Sequence, residues 1–109
     1  TGYVTWLKDR VREAELAAHL AGRLRDSVGT YRLRAGMGPA RLPSDPVAAS
    51  YAGPAAVMLD QGDRQLVLAT RGVEDRLRVG LRLVHRETAL VSELRAFPGA
   101  FAPQSPVAN

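Results

Sequence analysis

The stretch RLRVGLRLVHR, residues 76–86, decides the predicted fold because its apolar and basic residues alternate. On one side of an extended chain it would place four aliphatic residues: Leu77, Val79, Leu81 and Leu83. The arginines would lie on the other side, since successive side chains of a strand point to opposite faces. A period of two is the pattern of a half-buried β-strand, so we expect a strand over residues 76–84.

Three neighbouring segments continue this pattern. Residues 55–59, 64–70 and 89–97 are short apolar runs of strand length. The connection DQGD, residues 60–63, contains a glycine suited to a tight turn, and HRET, residues 85–88, would join the last two strands. The second half of the chain therefore predicts a four-stranded antiparallel meander.

The first half predicts one long helix. Residues 5–28 carry apolar side chains at spacings of three and four, with Thr5 as a possible N-cap and Gly29 as a possible stop. TYRLRA, residues 30–35, could be a short strand, and residues 35–54 predict a long loop with at most one helical turn. We expect an α+β fold in which this helix covers the sheet, one domain over residues 1–97 and a mobile tail over residues 98–109.

Composition narrows the function classes. The chain has 109 residues and no cysteine, which excludes disulfides, thiolate metal sites and thiol nucleophiles. Its apolar runs are too short to span a bilayer. Fourteen arginines against one lysine indicate a GC-rich, bacterial genome, and this bias weakens each arginine as a sign of anion recognition. The compartment stays open between the cytoplasm and the extracytoplasmic part of a truncated, anchored protein.

The predicted basic face of the sheet is the first candidate binding site, and the long loop over residues 35–54 is a second candidate region for binding. The members of the basic face would be Arg32, Arg34, Arg76, Arg78 and Arg82. Such a row could bind an anionic partner, whereas the alternative is a solvated sheet face. Sheets that bind nucleic acid also need exposed aromatic residues among the cations, and only Phe97 is near. The sequence therefore favours the solvated face.

No catalytic, cofactor or metal site is predicted. The two histidines, His19 and His85, have no acidic or histidine cluster at ligand spacing. The glycine-rich GMGP, residues 36–39, does not open a helix, so it does not predict a phosphate-binding loop. Trp6 is predicted to close one end of the core; if exposed, it would instead mark an interface.

Two families share this predicted arrangement. The segment DRLRVGLRLVHRETALVSELRAF, residues 75–97, resembles the closing hairpin of the cystatin and nuclear-transport-factor-like group, which implies a cavity that binds a small ligand or catalyses isomerisation or dehydration. The order of helix, loop, meander and terminal segment also resembles type IV pilins without their hydrophobic front. That resemblance implies the soluble part of a membrane-tethered assembly protein.

The leading hypothesis is a non-enzymatic protein-binding or assembly module that contacts a protein partner or a second copy. The first alternative is the small-ligand protein or enzyme of the nuclear-transport-factor-like type. The second alternative is a weak nucleic-acid binder that uses the arginine face. A deep pocket reached by His85, Ser92 or Tyr51 would favour the enzyme.

Overall fold

The computed structural model describes residues 2–96, whose regular secondary structure is all helical. The elements are α1 (Gly2–Arg34), α2 (Pro46–Ala55), α3 (Gln61–Ala69) and α4 (Val73–Ala96). The predicted α+β fold and its antiparallel sheet are therefore wrong, since no residue from 2 to 96 lies in a strand. The predicted tail, residues 98–109, lies outside the described residues.

Helix α4 occupies the two segments predicted as the last hairpin. The stretch that alternates also repeats with a helical period, because Leu77, Leu81 and Val84 are spaced by four and three and are all buried. Leucine and arginine both favour helices over strands. At the predicted turn, the Thr88 hydroxyl donates to the Val84 carbonyl one helical turn earlier, at 2.8 Å. A continuous helix therefore satisfies both the backbone and the apolar pattern.

Helix α3 takes the place of the second predicted strand. Asp60, the first residue of the predicted turn DQGD, is the N-cap, and its carboxylate accepts a hydrogen bond from the backbone N–H of Asp63 at 2.8 Å. The same side-chain chemistry serves a turn and a helix start. Only Val67 of α3 is fully buried, so this short helix lies at the surface.

Helix α1 confirms the predicted helix over residues 5–28 but extends beyond it at both ends. Gly29 lies inside the helix, and the predicted strand at residues 30–35 is wrong because Tyr31 lies in the core on the last turns of α1. The helix ends near Gly36, whose φ of 76° suits a residue without a Cβ. The predicted long loop shortens because α2 begins at Pro46.

The last part of α1 packs side by side with α4, and the two helices run in the same direction. The Ser27 hydroxyl is hydrogen-bonded to Nε2 of His85 at 3.0 Å, and an Arg34 N–H donates to the Ser92 hydroxyl at 2.9 Å. Both pairs are separated by 58 residues in sequence, as parallel helices require.

Helix α2 lies against both long helices and closes the core. It approaches α1 closely at Gly53, where an added Cβ would lie 2.6 Å from a methyl carbon of Leu24. It also meets α4, where a Cβ on Gly80 would lie 3.3 Å from the Pro54 ring. The buried apolar side chains form one cluster: Leu20, Ala21, Leu24, Val28, Tyr31, Ala49, Val57, Leu59, Val67, Leu77, Leu81, Leu83 and Val84.

The absence of a sheet from residues 2–96 removes the basis of both family resemblances. Each resemblance depended on a meander packed against the N-terminal helix, and the described residues predicted to form the meander lie in α3, α4, the end of α2 and the connections between them.

An ion pair ties α3 to α4 and carries a pH prediction. Arg86 donates a hydrogen bond to the Asp63 carboxylate, and this bond holds the pKa of Asp63 below its ordinary value of 3.8. Because the pKa of Asp63 is lower in the folded state than in the unfolded state, the ion pair stabilises the folded state at pH values above the ordinary pKa. This contribution is lost as the pH falls through the lowered value.

We expect an NMR titration of the Asp63 carboxyl carbon to show a midpoint below 3.8 in the wild type. In Arg86→Gln the midpoint should return toward the ordinary value, because the charged donor is gone. An Asp63 midpoint unchanged by the substitution would contradict the assignment.

Candidate assembly surface

The five arginines of the predicted basic face do not lie on one surface. On α4, Arg78 and Arg82 are exposed and one turn apart, whereas Arg76 is buried with 6% of its surface exposed. At about 100° per residue, Arg76 points away from the other two. On a strand, alternation would place the three arginines on one face. On the helix, Arg76 lies on a different side from Arg78 and Arg82. Their role in binding a partner stays a prediction.

Most of these arginines make contacts within the chain. Arg32 donates to the carbonyl oxygens of Gly38 at 2.6 Å and Ala56 at 2.8 Å, so it holds the loop after α1. Arg34 bonds Ser92, as described above, and Arg78 forms an ion pair with Glu74 at 3.3 Å. These contacts support the helical packing.

Arg76 is the buried cation of the structure, and it joins three segments. Its Nε donates to the Ser50 hydroxyl at 2.8 Å, and a terminal N–H donates to the Thr70 carbonyl at 2.8 Å. The guanidinium carbon also lies 4.1 Å from the centre of the Tyr51 ring, in a cation–π contact. Among residues 2–96, no carboxylate pairs with it at salt-bridge distance. It therefore holds the start of α4 against α2 and the α3–α4 connection.

The start of α1 is the least supported part of the molecule. Every residue from 2 to 15 is exposed, and the first fully buried side chain of the helix is Leu20. We call residues 2–18 the projecting segment of α1. Residues 2–15 therefore lack the buried apolar face that supplies most helical stability in proteins.

One apolar face runs along the projecting segment. We call it the α1 stripe; its members are Val4, Leu7, Val11, Ala14 and Ala18. All five are exposed, and the three larger side chains are 49%, 44% and 52% exposed. Their alternating spacing of three and four is the heptad pattern that helices use to pack on one another.

The α1 stripe is distinct from the face that α1 buries in its own bundle. On a helical wheel the stripe is centred about 120° from the direction of Leu20, Leu24 and Val28. The neighbouring α4 begins beside Glu13 and Ala17, which lie toward the bundle and away from the stripe. A second helix can therefore lie along the stripe without displacing α2 or α4.

An aromatic pair lies on the same segment and corrects a sequence prediction. Trp6 is 54% exposed and stacks on Tyr3 with the ring centres 6.1 Å apart, so it does not close the core as predicted. The Arg10 guanidinium covers the other side of the indole at 5.7 Å. Exposed Trp and Tyr side chains are enriched at the centres of protein interfaces. The sequence shows a run of aliphatic and aromatic residues at one helix end, but it does not show that their side chains are exposed.

The side chains named for the enzyme alternative do not converge. His85 bonds Ser27 and Ser92 bonds Arg34 along the contact between α1 and α4. Tyr51 borders a shallow groove between α2 and α3, lined by Pro54, Ala55, Arg64, Val67 and Leu68. Residues 2–96 contain no group of three histidine or acidic side chains placed to hold a metal ion.

No family model, curated protein or solved structure matches this chain. Within the described residues, none of the four helices combines the length and the hydropathy needed to cross a membrane. The geometry of the exposed surfaces is therefore the basis for a functional assignment.

Proposed function

We propose that this chain is a non-enzymatic assembly module that self-associates through the α1 stripe. The observation that carries the proposal is the projecting segment itself, an amphipathic helix with a heptad-spaced apolar face whose residues 2–15 are all exposed. A monomer with this shape would leave that segment to fray, whereas a second helix on the stripe would supply the missing apolar packing.

The chemistry of the stripe supports association with another helix. Val4, Leu7 and Val11 leave roughly half of their surfaces in water, and burying such side chains contributes about 1.5–3 kcal/mol each when complete. Contiguous exposed apolar residues of this kind mark interaction sites more often than single exposed residues do. Charged side chains flank the stripe, as in soluble helix pairs.

Sedimentation of the full chain over a range of concentrations tests the proposal. We expect the wild type to shift from monomer to dimer as concentration rises, and Leu7→Glu to remain monomeric because a carboxylate would be buried at the contact. Leu33→Glu is the matched control, since Leu33 is 78% exposed at the other end of α1, and it should dimerise like the wild type.

Circular dichroism and thermal unfolding should show that both variants keep the bundle fold, because neither side chain belongs to the core. A wild type that stays monomeric up to millimolar concentration would overturn the proposal. So would a Leu7→Glu variant that dimerises as tightly as the wild type.

A further inference from the structure

Resting on the proposed self-association, we infer that two copies pair antiparallel through the α1 stripe, and that Lys8 and Glu15 of opposite copies form reciprocal ion pairs that set the register. In this register Val11 lies opposite Ala14 of the second copy, and Leu7 lies opposite Ala18. Both layers occur twice because the pair is symmetric.

Side-chain size is the first argument for the antiparallel direction. The side chains of the stripe are larger at its start, at Val4, Leu7 and Val11, and small after that, at Ala14 and Ala18. Antiparallel pairing matches each large side chain with a small one, so the two helix axes keep a constant separation. Parallel pairing would set large against large at one end and alanine against alanine at the other, which leaves a gap or forces the helices apart.

The residues that follow the stripe also disfavour the parallel direction. Beyond Ala18 the heptad series passes through Ala21, which is fully buried in its own bundle, and then reaches Arg25. In a parallel pair the two copies of Arg25 would approach each other at the seam, where like charges are unfavourable. In the antiparallel register the layer beyond Leu7 and Ala18 would pair Val4 with Ala21, which is buried in its own bundle, so the contact ends there and Arg25 lies past it.

The charged residues beside the stripe favour one antiparallel register over the two registers displaced from it by one heptad. Lys8 follows Leu7 and Glu15 follows Ala14, so both lie on the same flank of the stripe. With Val11 opposite Ala14, each Lys8 faces Glu15 of the other copy. On the opposite flank Arg10 faces Ala17, which carries no charge.

The two registers displaced by one heptad fail for separate reasons. If Leu7 lay opposite Val11, Lys8 would face Lys8 of the other copy and Arg10 would face Arg10, giving two like-charge contacts. If Val11 lay opposite Ala21, the central layers would need a residue that is already fully buried in its own bundle. Only the inferred register has exposed central layers and complementary flanks.

Charge exchange tests the register in solution. In the Lys8→Glu homodimer, the introduced carboxylate would face Glu15 of the other copy twice. In the Glu15→Lys homodimer, the introduced ammonium group would face Lys8 twice. We expect each variant to dimerise about tenfold more weakly than the wild type, given the usual strength of exposed ion pairs. An equimolar mixture of the two should form a heterodimer of near wild-type affinity, because both facing pairs are again of opposite charge.

Asp9→Lys is the control for a charge change on the same segment. Asp9 lies on the side of α1 away from the stripe, so its reversal should leave dimerisation within about twofold of the wild type. Molar salt should bring the Lys8→Glu variant close to the wild type by screening the repulsion.

Cysteine cross-linking tests the antiparallel direction of the pair independently of the charge exchanges. The chain has no cysteine of its own to interfere. Mixed Leu7→Cys and Ala18→Cys proteins should form a disulfide between copies under mild oxidation. Leu7→Cys alone should not, because two Leu7 positions would be about 16 Å apart along the antiparallel axis, well beyond disulfide reach.

The outcomes separate this inference from the proposed function. A dimer that is broken by Leu7→Glu but is indifferent to the charge exchanges, or that cross-links through Leu7→Cys alone, would overturn the register and leave self-association through the stripe intact. A monomeric wild type would overturn both.

Discussion

Replacing Gly53 with alanine is expected to lower the free energy of unfolding by about 2–3 kcal/mol, the usual cost of overpacking a tight contact. An alanine Cβ at this position would lie 2.6 Å and 2.9 Å from two side-chain carbons of Leu24. Leu24 is fully buried, and side chains in protein interiors are close-packed, so a shift of Leu24 would disturb its neighbours. The strain would push α2 away from α1, and urea unfolding followed by circular dichroism would measure it.

Gly29→Ala is the matched control for this prediction. Gly29 lies inside α1 with no atom within 4 Å of an added Cβ, so alanine should stabilise the helix by about 0.5–1 kcal/mol. The two substitutions make the same chemical change in two helices and should act in opposite directions. Equal effects at both positions would show that α2 does not approach α1 as closely as described.

Arg76→Met is expected to destabilise the fold by about 2–3 kcal/mol, because it removes two buried hydrogen bonds while it keeps most of the side-chain volume. The Thr70 carbonyl would lose this donor, and Tyr51 would lose its cation–π contact. Arg76→Lys should also destabilise, since an ammonium group does not reproduce the fork geometry that reaches both acceptors. Chemical unfolding of both variants would measure these losses.

Arg82→Met controls for the loss of one positive charge from α4. Arg82 is exposed, so its replacement should change stability by less than about 0.5 kcal/mol. A stable Arg76→Met variant would mean that the desolvation of a buried guanidinium without a carboxylate outweighs its hydrogen bonds. One pair of measurements therefore distinguishes the two interpretations of Arg76.

The long first helix could be predicted from the sequence, but its ends could not, because Thr5 and Gly29 both lie inside α1. The three- and four-residue spacing over residues 5–28 is long enough to exclude a strand, and Asp60 indicated a local side-chain to backbone bond. The local sequence did not determine whether that bond belongs to a turn or to the start of a helix. The heptad spacing of the α1 stripe was visible too, as part of the predicted buried face.

The strands were predicted wrongly because short apolar runs fit two periods. Leu77, Leu81 and Val84 mark a helical face, while Leu77, Val79 and Leu81 mark a strand face, and the two sets overlap. Propensity favours the helix, since Leu and Arg dominate the segment and HRET lacks the glycine, proline or asparagine of a tight turn. A prediction based on residue propensity instead of alternation would have assigned a helix to this segment.

The sequence by itself determined the helix over residues 5–28, the lack of thiol chemistry and the apolar positions available for packing. The tertiary structure decided which of those positions are used. It buries Leu24 and Val28 beneath α2 and α4 and leaves Leu7 and Val11 in water, although all four carry similar side chains on one helix. It also buries Arg76 among hydrogen-bond acceptors from two other segments. Local periodicity tells which side chains can share a face, but burial depends on which distant segments pack there, and that is set by contacts far apart in the chain.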